Sequence, residues 1–309
     1  MLKNFRDIGR VFIGYFESYR LLRRIRPDVI FIKGGFVGVP VGLAAAKLHI
    51  PFVTHDSDAF PGLANRLISR WAQAHAVSLS KDLYPYPSAK TFSVGVPINH
   101  NFVLVSSELQ NQYKTELGLG KFKHLICVTG GGNGARQLNS IVAKCSSIIL
   151  DNNREVAIVH LAGRAHIAET EALYKTVLSP KQMSQVIVKG FVDNLYCYSG
   201  AADIIIGRGS ATNLAEFAMQ SKACVIVPAR QLPWTVKNTI ALSKNKAVIS
   251  LDEDKLSKDP TELAFVCNDL LNAPEKRIAL RNQLSKELEH QNSACELASL
   301  IMSNATSKK

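Results

Sequence analysis

The chain has 309 residues, 47% hydrophobic and 20% charged, which suits two ordinary domains with sizeable cores and excludes a disordered polymer. Its net charge of +12 points to an anionic partner: nucleic acid, an acidic lipid surface or a phosphorylated substrate. No run approaches the ~18–20 apolar residues of a spanning helix, and the six cysteines show no C-x-x-C pair or metal-ligand spacing, which fits a reducing cytoplasm.

The N-terminus carries no apolar core with a small-residue cleavage site, so no signal peptide is expected. Apolar residues at Leu2, Phe5, Ile8, Phe12, Tyr15, Phe16, Tyr19, Leu22 and Ile25 recur at helical spacing, and Pro27 ends the run. The other face is basic: Lys3, Arg6, Arg10, Arg20, Arg23, Arg24 and Arg26 stand against only Asp7 and Glu17. Such a helix either packs with a solvated charged face or lies on an anionic membrane with its aromatics among the headgroups.

Strand and helix then alternate, the signature of a parallel sheet covered by helices. Strands are expected at Val29–Ile32, Pro51–Thr54, Ala76–Leu79 and Thr91–Val94, with helices at Val39–His49 and Gly62–Ala72. The first strand runs into Gly34-Gly35-Phe36-Val37-Gly38-Val39-Pro40. Consecutive glycines allow a sharp turn or the close approach of a ligand, and the helix that follows presents free N–H groups to a phosphate. The segment Thr54–Arg66 follows the C-terminal end of a strand and holds His55, Asp56, Ser57 and Asp58. It reads either as a capped turn or as a site, and open α/β sheets bind ligands at strand C-termini. A Gly/Pro break places the interdomain linker at 95–103.

The second half repeats the pattern. A helix at Ser106–Leu117 precedes the strand Leu125–Thr129, which runs into Gly130-Gly131-Gly132-Asn133-Gly134-Ala135-Arg136 and a helix to Leu150. This is the stronger phosphate candidate, although a glycine loop alone is also a plain turn. Strands follow at Val156–His160, Val186–Val188, Asp203–Ile206 and Cys224–Val227, with helices at Ala165–Val177, after Asn194, after Ser210 and at Trp234–Lys244. From Pro260 the chain reads as three helices and a basic tail, Ser303–Lys309.

Four motifs in this order resemble the MurG-type N-acetylglucosaminyltransferases of bacterial cell-wall synthesis, glycosyltransferase family 28: Gly34–Pro40, His55–Arg66, Thr129–Arg136 with Asn139, and Arg208–Glu216. The resemblance covers nearly the whole chain and implies an α/β GT-B fold of two Rossmann-like domains facing a cleft, one over residues 1–98 and one over 99–309. It implies an inverting transfer of N-acetylglucosamine from UDP-N-acetylglucosamine to a polyprenyl-diphosphate-linked muramyl-pentapeptide acceptor, at the cytoplasmic membrane face, with no cofactor or essential metal.

On the donor side it implies backbone contacts from Gly130, Gly131, Gly132, Asn133 and Gly134, with Arg136, Asn139, Arg208, Ser210 and Ala211 nearby. Val192 would line the uracil pocket and Glu216 would accept from the ribose hydroxyls. On the acceptor side it implies Gly34, Gly35, Phe36 and Asn65. It also favours the membrane role for the first helix.

The sequence departs from the family in several places. Family members begin with a strand and a G-G-T-G-G-H loop whose histidine is the usual candidate base; this sequence begins at the helix that follows, so the first domain is expected to be incomplete. His55, Asp56 and Asp58 are then the candidates for proton transfer. The family's His-Glu-Gln-Asn reads His55-Asp56-Ser57-Asp58, and Gln231-Leu232-Pro233-Trp234-Thr235 lies where a glutamine pair holds the donor sugar. Loss of those hydrogen bonds changes sugar preference. The rival readings are a transferase of the same fold with another sugar or acceptor, and a non-catalytic nucleotide- or membrane-binding protein. No recognition motif beyond charge points to nucleic acid, which is not expected as a partner.

Overall fold

The computed structural model describes residues 2–151, 153–288 and 292–305, with side chains from residue 9 onward. The expected apolar and basic positions at Leu2, Lys3, Phe5, Arg6 and Ile8, and the tail residues 306–309, have side chains outside the described residues. The chain divides into two compact units, Met1–Pro97 with His290–Lys309, and Ile98–Glu289.

In the first unit, helix α1 (Leu2–Ile25) leads to β1 (Ile30–Ile32), α2 (Gly38–Lys47), β2 (Phe52–Asp56), α3 (Leu63–Ile68), β3 (Ala74–Val77) and β4 (Thr91–Ser93). The four strands are parallel, in the order β1-β2-β3-β4. Helix α1 stops where Arg26 turns into the left-handed region, φ +50, ahead of Pro27. Its Tyr15, Tyr19 and Leu22 join Ala44, Ala45, Phe52 and Ile68 in one core.

β3 lies two residues earlier than the apolar pattern suggests. Ala74 and His75 pair with Val53 and Thr54, and the chain turns at Ser78. His75 is wholly buried in that strand with its Nδ1 bonded to the Thr54 hydroxyl at 2.7 Å and its Nε2 without a hydrogen-bond partner among the described residues, so an imidazole anchored at one nitrogen stands where the pattern wanted an apolar residue.

The second unit carries α4 (Ser107–Glu116), β5 (His124–Thr129), α5 (Arg136–Leu150), β6 (Val156–Leu161), α6 (Ile167–Val177), α7 (Pro180–Met183) and β7 (Val186–Lys189). It continues with α8 (Leu195–Ala201), β8 (Ile204–Gly207), α9 (Ala211–Met219), β9 (Ala223–Ile226), α10 (Pro233–Lys244), β10 (Ile249–Ser250), α11 (Glu253–Lys258), α12 (Thr261–Asn272) and α13 (Pro274–Leu288). The sheet is parallel, in the order β10-β9-β8-β5-β6-β7.

Strand order therefore reverses between β5 and β8, the place where doubly wound sheets open a crevice at their C-terminal ends. β5 and β6 are apolar runs buried on both faces, and Leu138, Ile141, Val142, Cys145 and Ile149 of α5 pack on them. The short α7, α11 and β10 were not expected, being four, six and two residues long.

The last helix, α14 (Ser293–Ser303), was expected with the second half of the chain. It packs on the first sheet, where Leu297, Leu300 and Ile301 meet Ala76 and Val94.

Candidate functional site

Of the expected donor-side residues, Gly130–Gly134, Arg136, Arg208 and Ser210 line one cavity at the strand-order reversal, while Asn139, Val192, Ala211 and Glu216 are not among its lining residues. β5 ends at Thr129, whose hydroxyl accepts from the Gly131 N–H at 3.2 Å. Gly131 and Gly134 take φ of +85 and +75. A Cβ on Gly134 would stand 2.1 Å from the Ala162 carbonyl oxygen, so only glycine lets the loop lie against the turn after β6. No side chain caps the first turn of α5 or of α9, so both helix N-termini keep open N–H donors beside the loop.

The loop, Arg136, Arg208, Ser210 and the Gln231–Thr235 segment line a cavity of about 900 Å³. Bare backbone donors and arginine around an open hollow suit a diphosphate.

Arg136 is exposed at the rim, its Nε donating to Glu169 at 2.7 and 3.0 Å. Arg208 is buried, paired with Glu253, and donates to the Val227 carbonyl at 3.2 Å. Ala211 opens α9 after the tight turn at Gly209, φ +78, whose carbonyl accepts from the Asn238 amide at 3.1 Å. Glu216 lies further along α9, 9% exposed, accepting from Asn213 at 2.9 Å. Burial pushes its carboxyl up to about 7, against the downward pull of the Asn213 bond.

Val192 is half-buried after β7, next to Phe191, whose ring carries the Arg164 guanidinium at 4.3 Å and approaches Gly132. Asn139, expected among the donor contacts, lies behind the cavity wall. Its amide donates to the Ala162 carbonyl at 2.8 Å and its oxygen accepts from His160 Nε2 at 3.0 Å. His160 Nδ1 then accepts from the Tyr174 hydroxyl at 2.8 Å, and burial lowers this neutral imidazole to about 3. Asn139 thus holds the turn on which Gly134 rests.

The acceptor-side and proposed catalytic residues gather in the first unit. His55 is wholly buried; its Nε2 donates to the Gly95 carbonyl at 3.0 Å and its Nδ1 accepts from Ser57 at 3.3 Å, while burial lowers its pKa. Asp56, 4% exposed, accepts from the Gly62 N–H, the Asn65 amide and the Tyr86 hydroxyl at 3.1, 2.9 and 2.8 Å. Burial raises its pKa and those three bonds pull it back. Asp58 is half-buried, and its carbonyl accepts from Tyr84 at 2.9 Å.

Asn65 donates to the His55 carbonyl at 3.1 Å as well as to Asp56, which fixes which end of its amide is the oxygen. That buried oxygen has no hydrogen-bond partner among the described residues and lies 3.6 Å from where a Cβ on Gly34 would stand. Gly34 and Gly35 take φ of +108 and +77, α2 has no side-chain cap, and Phe36 is 82% exposed. A bare turn, an open helix N-terminus and an unpartnered amide oxygen therefore meet at one place.

Two family models match the chain: the glycosyltransferase family 28 N-terminal domain over residues 1–77 and the glycosyltransferase family 28 C-terminal domain over residues 125–297. The chain belongs to glycosyltransferase family 28. A family 28 relative from Halothermothrix orenii, named UDP-N-acetylglucosamine–N-acetylmuramyl-(pentapeptide) pyrophosphoryl-undecaprenol N-acetylglucosamine transferase, is 31% identical over 284 residues, 89% of this chain and 74% of the relative. One of the same name from Halalkalibacterium halodurans is 28% identical over 305 residues, 97% of this chain and 80% of the relative. The crystal structure of Acinetobacter baumannii MurG superposes with a TM-score of 0.75 at 21% identity, covering 96% of this chain and 79% of that one, and supports the two-domain fold.

Within this family 28 chain, Glu253, Glu169, Gln137 and the Gln231–Thr235 wall join the expected residues at the second unit's cavity or directly behind it. Asp252 followed by Glu253 and Asp254 is a helix-start signal that would have found α11. Thr235 spends its hydroxyl on the Ala229 and Leu232 carbonyls at 3.2 and 2.8 Å.

Proposed function

We propose that this chain transfers N-acetylglucosamine from UDP-N-acetylglucosamine to a polyprenyl-diphosphate-linked muramyl-pentapeptide acceptor in cell-wall synthesis, with inversion at the sugar carbon. The observation that carries the reading is the glycine loop at the strand-order reversal, flanked by two uncapped helix N-termini and followed by Glu216 in α9.

The second unit binds the donor. Backbone N–H groups of the loop, with Arg208, stabilise charge on the departing UDP, and Glu216 accepts from the ribose hydroxyls. The first unit binds the acceptor diphosphate at Gly34, Gly35 and the N-terminus of α2, with Asn65 beside it. The acceptor hydroxyl attacks the anomeric carbon; the new C–O bond forms as the bond to UDP breaks, and the hydroxyl proton passes to a base.

His55 and Asp56 are buried in the fold and Asp58 is the least buried of the three, so Asp58 is the base proposed for this chain. The acceptor's lipid tail places the reaction at a membrane. Phe12, Ile13 and Phe16 of α1 are 63%, 62% and 60% exposed, among exposed Arg10, Arg20, Arg23 and Arg24, and form the surface that meets anionic lipid. No described helix is long and apolar enough to cross a membrane.

A second reading keeps the chemistry and changes the sugar. It is favoured by the Gln231–Thr235 segment, which lies in the place of the family's sugar-binding glutamine pair and whose Thr235 hydroxyl is consumed inside the chain. Calorimetry with UDP, UDP-N-acetylglucosamine, UDP-glucose and a GDP-sugar tests both readings. Selective binding of UDP-N-acetylglucosamine supports the first, a preference for UDP-glucose supports the second, and indifference to the base refutes both. Asp58→Asn is expected to keep UDP affinity and lose turnover; unchanged turnover removes Asp58 from the chemistry.

A further inference from the structure

Helix α11 reaches three walls of the donor cavity without lining it. Glu253 pairs with Arg208 at the end of β8 and accepts from the Arg230 N–H after β9 at 3.4 Å. Ser257, one turn on, accepts from Gln137 of α5 at 2.6 Å. The Arg208 and Glu253 side chains are 8% and 3% exposed, so the pair is sealed behind the wall to which Arg208 belongs.

Arg208 Nη1 is spent on Glu253 and the Val227 carbonyl, while its Nε and Nη2 donors have no partner among the described residues. An arginine side chain is long and rotationally free. A carboxylate gripping one nitrogen fixes the plane of the guanidinium and therefore the direction of its other donors.

We infer that Glu253 is a positioning residue for diphosphate recognition: it acts through Arg208, holding the guanidinium on the cavity wall shared with the Gly130–Gly134 loop. The inference rests on the proposed reading that this cavity takes a nucleoside diphosphate. Glu253 itself touches no nucleotide. Its effect is confined to the phosphate that Arg208 addresses, and the base and ribose contacts do not depend on it.

The test is a double-variant cycle read by calorimetry with UDP and UMP on the full chain, using wild type, Glu253→Gln, Arg208→Gln and the double variant. Each single change is expected to weaken UDP binding about tenfold while UMP changes little, and adding Glu253→Gln to Arg208→Gln is expected to cost nothing further. Losses that multiply in the double variant, or equal losses for UMP and UDP, overturn the inference. If Glu253→Gln alone does not fold because a buried cation is left unpaired, Arg208→Gln and the double variant still decide: equal UDP affinity supports the inference and a further loss overturns it. A wild-type chain that binds no UDP removes the functional reading and this inference together, whereas wild-type binding with multiplying losses removes this inference alone.

Discussion

Glu216 offers a quantitative test of the donor site, because ionising it carries opposite consequences for folding and for binding. Its carboxyl is 9% exposed and sits at about 7 instead of 4.5. A shift of that size corresponds to about 3 kcal/mol at most. Between the unfolded and folded pKa values the folded state holds more protons than the unfolded one, so stability falls as pH rises through that window. Glu216→Gln keeps an oxygen that accepts from Asn213 and removes the cost of ionisation. In urea unfolding it is expected to match wild type near pH 4, and by pH 8 to be more stable by up to about 3 kcal/mol.

Binding runs the other way. On the proposed role, ribose hydroxyls donate to the carboxylate, so wild-type UDP affinity is expected to fall by up to about tenfold per unit as pH drops below about 7, and the glutamine variant to bind more weakly at pH 8 with a flatter profile. The terminal phosphate of UDP itself titrates near about 6, so the difference between the two proteins is the quantity to read. Coincident stability profiles from pH 4 to 8, or parallel affinity profiles, would refute the assignment of Glu216.

Other residues give sharper structural tests. Gly134→Ala places a methyl group 2.1 Å from the Ala162 oxygen at φ +75 and is expected to cost about 2 kcal/mol or more and abolish UDP binding. Gly131→Ala meets open space at φ +85, so it should cost only the backbone strain of about 1–2 kcal/mol; equal losses from the two would remove the argument from close approach. Asn139→Ala strands the Ala162 carbonyl and His160 Nε2, and is expected to lower unfolding stability by about 1–3 kcal/mol. Tyr86→Phe removes a donor that stabilises the Asp56 carboxylate, so about 1–3 kcal/mol should be lost at pH 7 and progressively less toward acid, where Asp56 is protonated. A loss equal at both pH values would contradict an ionised Asp56.

What was legible in the sequence was what short-range chemistry dictates. Buried β-branched runs marked β5, β6 and β8, and consecutive glycines marked both turns, because left-handed φ and backbone contact leave little choice of residue. What was hidden depends on distant partners. Nothing near Leu297 says that its helix covers Ala76, more than two hundred positions away, instead of the sheet it follows. In α1, Phe12 and Phe16 share the helical pattern with Tyr15 and Tyr19, yet of these four only the tyrosines pack on the core that holds Ala44, Phe52 and Ile68.

The candidate site shows the same division with more consequence. His55, Asp56 and Asp58 look equivalent in sequence, three polar groups after a strand. Gly95, forty residues on, takes the imidazole, and Tyr86, thirty residues on, takes the first carboxylate. A buried acceptor that already satisfies three donors gives up hydrogen bonds before it can take a proton from a substrate, and the desolvated group left behind is costly. Residue types at the right spacing therefore locate a site, while the roles within it are assigned by partners that only the fold supplies. By that criterion Asp56 belongs to the scaffold that shapes the turn and His55 ties β2 to the segment after β4, while the proposal of Asp58 as the base rests on its being the least buried of the three.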